Sequence, residues 1–373
     1  MSFDVYFRDT EAKREALLVE SGRAVEYYEE SKKEKYYAGA IFKGQVMNVR
    51  QNLDSAFVDV GGETLMVSLH GKKVTQQSHV LCMLESTSVE PGKKRTATTD
   101  IALYGRYVIL KPFGKQIGFS KKLAELSELD RSLLKRNVQS IIGKMGCVFR
   151  SGVTMEKMSD ILRDAEMLVA RYEGLLSDYD AAPICSVLFG GYNLYQRIRA
   201  DITNDLVDRV FLNVPVHVIE SQDEIFLYEA DPDIPIYINQ VEDFFGYYGF
   251  SQVLENRNKK IVRLPHGGNI VIEQTRAMTV IDVNSQGSSI DSHSYENNNT
   301  QVNIEACAVI AYELRLRNIG GIVVIDFISM QREENRAKVV AALQRAFDND
   351  RFRVDITPDM SPLGLCELSR IHR

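Results

Sequence analysis

The stretch RAMTVIDVNSQG, residues 276–287, decides how this chain is read. A run of Val and Ile ends on Asp282 and Asn284, two residues apart and so on one face of a strand. The pattern returns in NIGGIVVIDFISM, residues 318–330, where Asp326 closes a second apolar strand. Strand ends in α/β sheets are where sites collect. A lone carboxylate buried there costs several kcal/mol without a partner, and two on neighbouring strands repel unless a cation lies between them. Mg²⁺ accepts one or two carboxylates and keeps several waters, leaving positions for a phosphate oxygen and an attacking water. The plainer alternative is that Asp282 caps a turn and Asp326 a helix start. The pattern alone leads to a metal-dependent phosphodiester hydrolase as one candidate and leaves the capping alternative open.

Outward from this pair, the 373 residues suffice for two to four domains, and 45% hydrophobic with 26% charged residues marks a globular chain. No apolar run reaches membrane-spanning length, and the acidic, polar start MSFDVYFRDTEAKREALLVESG lacks a signal-peptide pattern. The expected location is cytoplasmic, with no membrane partner. Five scattered cysteines (Cys82, Cys147, Cys185, Cys307, Cys366) without a Cys-x-x-Cys pair argue against zinc and disulfides. A net charge of −6 is unusual for a non-specific nucleic-acid binder. It is nonetheless an average over basic clusters such as Lys93–Lys94–Arg95 and acidic runs such as EYYEESKKE.

Along the chain, residues 3–35 read as strands. From Tyr36, short β runs separated by Gly44, Asn52–Asp54, Gly61–Gly62 and Gly71 predict a small barrel. Residues 121–177 are mostly helical around the short strand of GCVFRSGV, with Thr154 as N-cap of the second helix. From Lys259, strands and helices alternate as a mixed α/β layer, and ENNNTQ (296–301) reads as a loop.

Four motifs in order, LPHGGNIVIEQTRAMTVIDVN (264–284), NIEACAVIAYELRLRN (303–318), GGIVVIDFISM (320–330) and PLGLCELSR (362–370), resemble the ribonuclease E/G family of bacterial endoribonucleases. Upstream, IFKGQVMNVRQNLDSAFVDVG (41–61) resembles the family's S1 domain, and YVILKPFGKQIGFSKKL (107–123) with VFRSGV (148–153) resembles its 5′-sensor segments. The resemblance implies an α/β (α+β) multidomain chain. Residues 1–35 and 206–257 would form a ribonuclease-H-like domain, 36–100 an S1 (OB-fold) barrel, 101–205 a 5′-sensor region, and 258–373 a deoxyribonuclease-I-like catalytic domain. It further implies that Asp282 and Asp326 hold the catalytic Mg²⁺, with Mn²⁺ as substitute, and that Asn284 helps arrange the attack. Arg150 and Ser151 would grip a 5′-monophosphate beside Gly118. Phe57 would stack bases of single-stranded RNA, Lys43 would follow the phosphate backbone, and Arg370 would keep the register of the family's closing basic motif.

The chain also departs from the family pattern. It stops at ELSRIHR, before the small domain and the Cys-x-x-Cys linker, so a homodimer is compatible with the sequence but the family's zinc-linked oligomer is not expected. The segment SQGSSIDSHSYENNNTQ (285–301) carries no Lys or Arg, which weakens the expected phosphate grip. Val67 stands where a second aromatic is expected on the S1 face. The functional expectation is a Mg²⁺-dependent endoribonuclease acting on single-stranded RNA, with preference for 5′-monophosphate ends. The alternative is a non-catalytic RNA-binding protein on the same scaffold.

Overall fold

The computed structural model describes residues 2–85, 94–120, 123, 125–150, 152–202, 206–214, 234–285, 292–361 and 363–371. Three antiparallel strands, β1 (Phe3–Asp9), β2 (Lys13–Glu20) and β3 (Arg23–Ser31), open the chain. A five-stranded barrel follows, from β4 (Ile41–Arg50), β5 (Ser55–Asp59), β6 (Thr64–Ser68), β7 (His79–Leu84) and β8 (Thr96–Thr98), in the order β4-β5-β6-β8-β7 with β7 closing on β4. Alternation explains β5: Ala56 and Val58 enter the core with Phe42, Leu65 and Cys82, while Phe57 turns outward. A Cβ on Gly44 would lie 2.3 Å from the Val58 side chain, so only glycine lets β4 pass this close.

The next unit is a small sheet of β9 (Leu103–Tyr104), β10 (Val108–Lys111), β11 (Ile117–Phe119) and β12 (Gly146–Phe149), ordered β11-β12-β10-β9. Helix α1 (Glu128–Ile142) is capped by Ser127, which accepts from Asp130 N–H, and buries Leu134, Val138 and Ile142 at four-residue steps. Helix α2 (Met158–Ala181) buries Ile161, Ala165 and Leu168 in the same core. Thr154, expected to cap it, makes no side-chain cap. A single 3₁₀ turn, Met155–Lys157, leads into the helix instead.

Strand β13 (Ser186–Phe189) joins the barrel edge at β4. Helix α3 (Leu194–Asp201) then packs Leu194, Tyr195 and Ile198 against Phe3, Val5, Phe7 and Leu18 of the first sheet, although the sequence reading grouped it with 101–205. Strands β14 (Val207–Leu212) and β15 (Ile236–Ile238) add to β1 in parallel, giving the order β15-β14-β1-β2-β3. On the other face of that sheet, Tyr6, Leu17, Tyr27 and Phe211 pack with Phe244, Phe245 and Phe250 from the short helices α4 (Phe244–Tyr247) and α5 (Ser251–Asn256) and their junction.

The last unit is a six-stranded sheet of β16 (Ile261–Arg263), β17 (Asn269–Gln274), β18 (Thr279–Asn284), β19 (Gly321–Asp326), β20 (Arg353–Ile356) and β21 (Leu365–Ile371), ordered β16-β17-β18-β19-β21-β20. Helices α6 (Ser292–Leu316) and α7 (Glu333–Ala346) cover one face, enclosing Ile281, Val283, Ile310, Leu314, Val323, Ile325 and Leu343. The segment 296–301, expected as a loop, lies within α6.

Candidate active site

The sheet places the two aspartates side by side. β18 and β19 run parallel, and Asp282 faces Asp326 in register. In each strand the flanking residues, Ile281 and Val283 or Ile325 and Phe327, are buried, so both carboxylates stand on the opposite, open face. Neither is a helix cap: α7 starts seven residues after Asp326. Asn284, one pleat further on that face, donates from Nδ2 to Asp282 Oδ2 at 2.8 Å, which leaves its own carbonyl oxygen as an acceptor. The hairpin before β18 is fitted to this end of the sheet. Gly268 has φ +91°, and a Cβ there would lie 2.4 Å from the Asn284 carbonyl oxygen.

The burial penalty that the sequence suggested for these acids does not apply, because both are exposed. Two charges about 5 Å apart in water repel by less than about 1 kcal/mol, which a sheet tolerates. The stronger electrostatic demand comes from the whole face. Glu273, Asp282, Asp326 and Glu367 are all exposed and in register on it, so a polyanion meets concentrated negative charge. No Lys or Arg among the described residues is recorded in an ion pair with Asp282 or Asp326. Two adjacent unneutralised carboxylates with open solvent around them suit a hard divalent ion that keeps most of its waters.

The loop after Asp326 is held from below by polar residues on successive turns of α6. Asn303 pairs with the Ile328 peptide in both directions, Nδ2 to O at 2.8 Å and N–H to Oδ1 at 3.0 Å. Asn299 Nδ2 donates to the Ser329 carbonyl. The Glu296 carboxylate accepts from the N–H groups of Gln331 and Arg332 just before α7. The sequence carried a signal for this clamp, since Glu296, Asn299 and Asn303 recur at three- and four-residue steps.

The barrel presents a half-buried Phe57 on its outer face, with Arg50 4.9 Å and Lys94 5.9 Å from the ring centroid. Its cross-strand neighbour is Met66, which is exposed, whereas Val67 points into the barrel core. The position beside Phe57 is therefore Met66. Lys43 is withdrawn from RNA contact: it is buried, and its ammonium donates to the carbonyls of Tyr179 and Ala182 at the end of α2. Arg370 is likewise structural, fully buried and bidentate to Asp350 at 2.7 and 3.1 Å, with a third bond to the Ile319 carbonyl.

Gly118 and Val148 pair on parallel strands, and Arg150 follows directly on β12. The Arg150 guanidinium donates to the Gly105 carbonyl and to Asp201 at 3.0 Å, so a terminal phosphate must share or displace an existing carboxylate partner. Nothing in the sequence marked Asp201, 51 residues away. Ser151 lies outside the described residues.

Helix α6 and the segment before β20 join this unit to the first sheet. Buried Glu26 on β3 receives Arg351 through Nε at 3.0 Å and Nη2 at 2.5 Å, and Arg315 at 3.3 Å. Burial alone would raise its carboxyl. The charges and hydrogen bonds of Arg351, with Tyr28 and Arg315, outweigh burial and hold it below the usual value.

Comparison with known proteins agrees with this geometry. A sequence model described as the Ribonuclease E/G family matches residues 102–373. The chain is 31% identical to a Ribonuclease G of Haemophilus influenzae, over 95% of this chain and 76% of that protein. It is 26% identical to the Ribonuclease G of Escherichia coli K12, over 99% and 80% of the two chains. It is 28% identical to the Ribonuclease E of the same strain, over 95% of this chain and 35% of that one. Among the described residues no helix is long and apolar enough to cross a membrane.

Proposed function

The chain belongs to the ribonuclease E/G family, and on that footing we propose that it is a Mg²⁺-dependent endoribonuclease acting on single-stranded RNA, favouring 5′-monophosphate ends. The observation that carries the proposal is the register of Asp282 against Asp326 on an open acidic face. These two carboxylates would hold Mg²⁺, which supplies a Lewis acid to the scissile phosphate and offsets the negative charge that RNA would otherwise meet. Asn284 fixes the Asp282 carboxylate through its amide and offers its carbonyl oxygen to orient an attacking water. In-line attack on phosphorus leaves a 3′-hydroxyl and a 5′-phosphate.

The other units fit the same reading. Phe57, with Arg50 and Lys94 around its ring, is a stacking platform for an unpaired base on an S1-like barrel. Arg150 would take the terminal phosphate in exchange for Asp201. Three antiparallel strands continued by two parallel ones support a ribonuclease-H-like reading of the first sheet. The six-stranded sheet backed by two helices supports a deoxyribonuclease-I-like reading of the last unit.

A 5′-labelled single-stranded RNA incubated with millimolar Mg²⁺ tests the proposal. Internal cleavage by the wild type, abolished by chelation and by Asp282→Asn, is the expected result. RNA that is bound at micromolar protein and never cut would leave only the binding alternative.

A further inference from the structure

A cavity of about 320 Å³ opens at the carboxyl end of β19, bounded by residues 327–330, by Arg336 on α7, and by Met360, Ser361 and Leu363 before β21. Its first wall residue follows Asp326 directly in the chain. The size falls at the lower end of the range of small-molecule sites, about 300–1,000 Å³.

The walls are built to keep their shape. Asn303 and Asn299 fix the Ile328 and Ser329 peptides from α6. Arg336 Nη1 donates to the Met330 and Gln331 carbonyls, at 3.0 and 3.1 Å. The opposite wall is a tight turn, in which Ser361 accepts from the Gly364 and Leu365 N–H groups. Arg336 Nε and Nη2 have no described partner, and neither do acceptors from any carboxylate reach this guanidinium among the described residues. The Ser361 hydroxyl accepts one bond and keeps its proton to donate. Met330, Met360 and Leu363 supply apolar, deformable surface of the kind that accepts a flat ring.

We infer that this cavity is a base-binding subsite for the nucleotide flanking the scissile phosphate, and that it selects bases carrying a keto oxygen, guanine and uracil, over adenine and cytosine. The inference rests on the nuclease reading of Asp282 and Asp326. Its chemistry is donor-rich: a half-buried guanidinium and a serine hydroxyl present N–H and O–H groups, which meet acceptor oxygens and do not meet an exocyclic amine. A site of this kind rejects the wrong base because its own donors are then left unpaired. Arg336 touches the base and no reacting atom, so its effect falls on choice of cleavage position.

The test uses the full chain and two readouts. The first is kcat/KM on single-stranded RNAs differing only in the bases beside one cleavage point. The second, independent of cleavage, is binding of the free nucleotides GMP, UMP, AMP and CMP followed by calorimetry. For the wild type, keto bases should be favoured about tenfold in both. Arg336→Gln should flatten the ratio, Arg336→Lys should recover part of it, and Ser361→Phe, which fills the cavity, should abolish it. Equal treatment of the four bases by the wild type overturns the subsite. So does a ratio unchanged in Arg336→Gln and Ser361→Phe, with melting temperatures showing both variants folded. A wild type that cuts no RNA yet binds GMP and UMP through Arg336 would overturn the nuclease reading and retain the cavity as a nucleotide site.

Discussion

Two groups of acids in this molecule are treated in opposite ways. Glu26 is fully buried and enclosed by Arg351, Arg315 and Tyr28, so its charge is neutralised within the protein and ties the first sheet to the last unit. Asp282 and Asp326 lie in register on an open face, and the one described hydrogen bond to either carboxylate comes from Asn284. A buried carboxylate without its arginine is intolerable, whereas an exposed pair is cheap to keep and remains available to a cation from solution. The first arrangement serves assembly of the fold, and the second serves chemistry.

The largest expected effect separates the two groups most sharply. Asp326→Asn should lower cleavage by about 10³-fold or more, the scale seen when a central electrostatic element is lost, while leaving the melting temperature unchanged or slightly raised. A variant that melts early would make Asp326 a structural acid like Glu26. Glu26→Gln should do the reverse. It leaves Arg351 charged and nearly enclosed, at a cost of about 3–5 kcal/mol in stability measured by denaturant unfolding. Activity per folded molecule should persist.

The same carboxyl fixes a pH window. Because Glu26 sits below its ordinary value of 4.5 in the folded state, its contribution is present above about pH 4.5 and is lost as pH falls through the folded-state value. Wild-type stability should therefore drop more steeply than that of Glu26→Gln below pH 4.5, as read from thermal melts across an acid series.

Arg150 is an intermediate case, an arginine already paired with Asp201 yet placed for an outside anion. Arg150→Gln should remove about a tenfold advantage of 5′-monophosphate over 5′-hydroxyl RNA, since hydrogen bonds to charged groups contribute about 1.5–3 kcal/mol each. An advantage that persists would make the arginine a tie between units, as Arg351 is. The smallest effect belongs to the barrel: Phe57→Ala should weaken single-stranded RNA binding by about 1–3 kcal/mol in a filter-binding or anisotropy assay. The rate at saturating RNA should stay the same.

Period-two alternation in TVIDVN and GIVVID made the strands legible, along with the face carrying Asp282 and Asp326. It did not show which face the helices would cover, so the pair was expected in a buried setting and is exposed. Lys43 and Arg370 misled for a related reason. A basic residue in a strand reads as a surface charge, and only the packed structure supplies the α2 carbonyls and Asp350 that hold them inside. The barrel slipped by one residue: Val67 was named where Met66 lies, and in a strand one residue is the difference between core and surface. The polar run 296–301 looked like a loop because its asparagines favour turns, but as part of α6 they bond the loop after Asp326.

The most direct measurement is anomalous scattering from crystals soaked in Mn²⁺. A peak bridging the carboxylate oxygens of Asp282 and Asp326, lost in Asp282→Asn, is the expected result. RNA cleaved by a protein whose Mn²⁺ binds away from this pair, or that needs no divalent ion, would contradict the central claim.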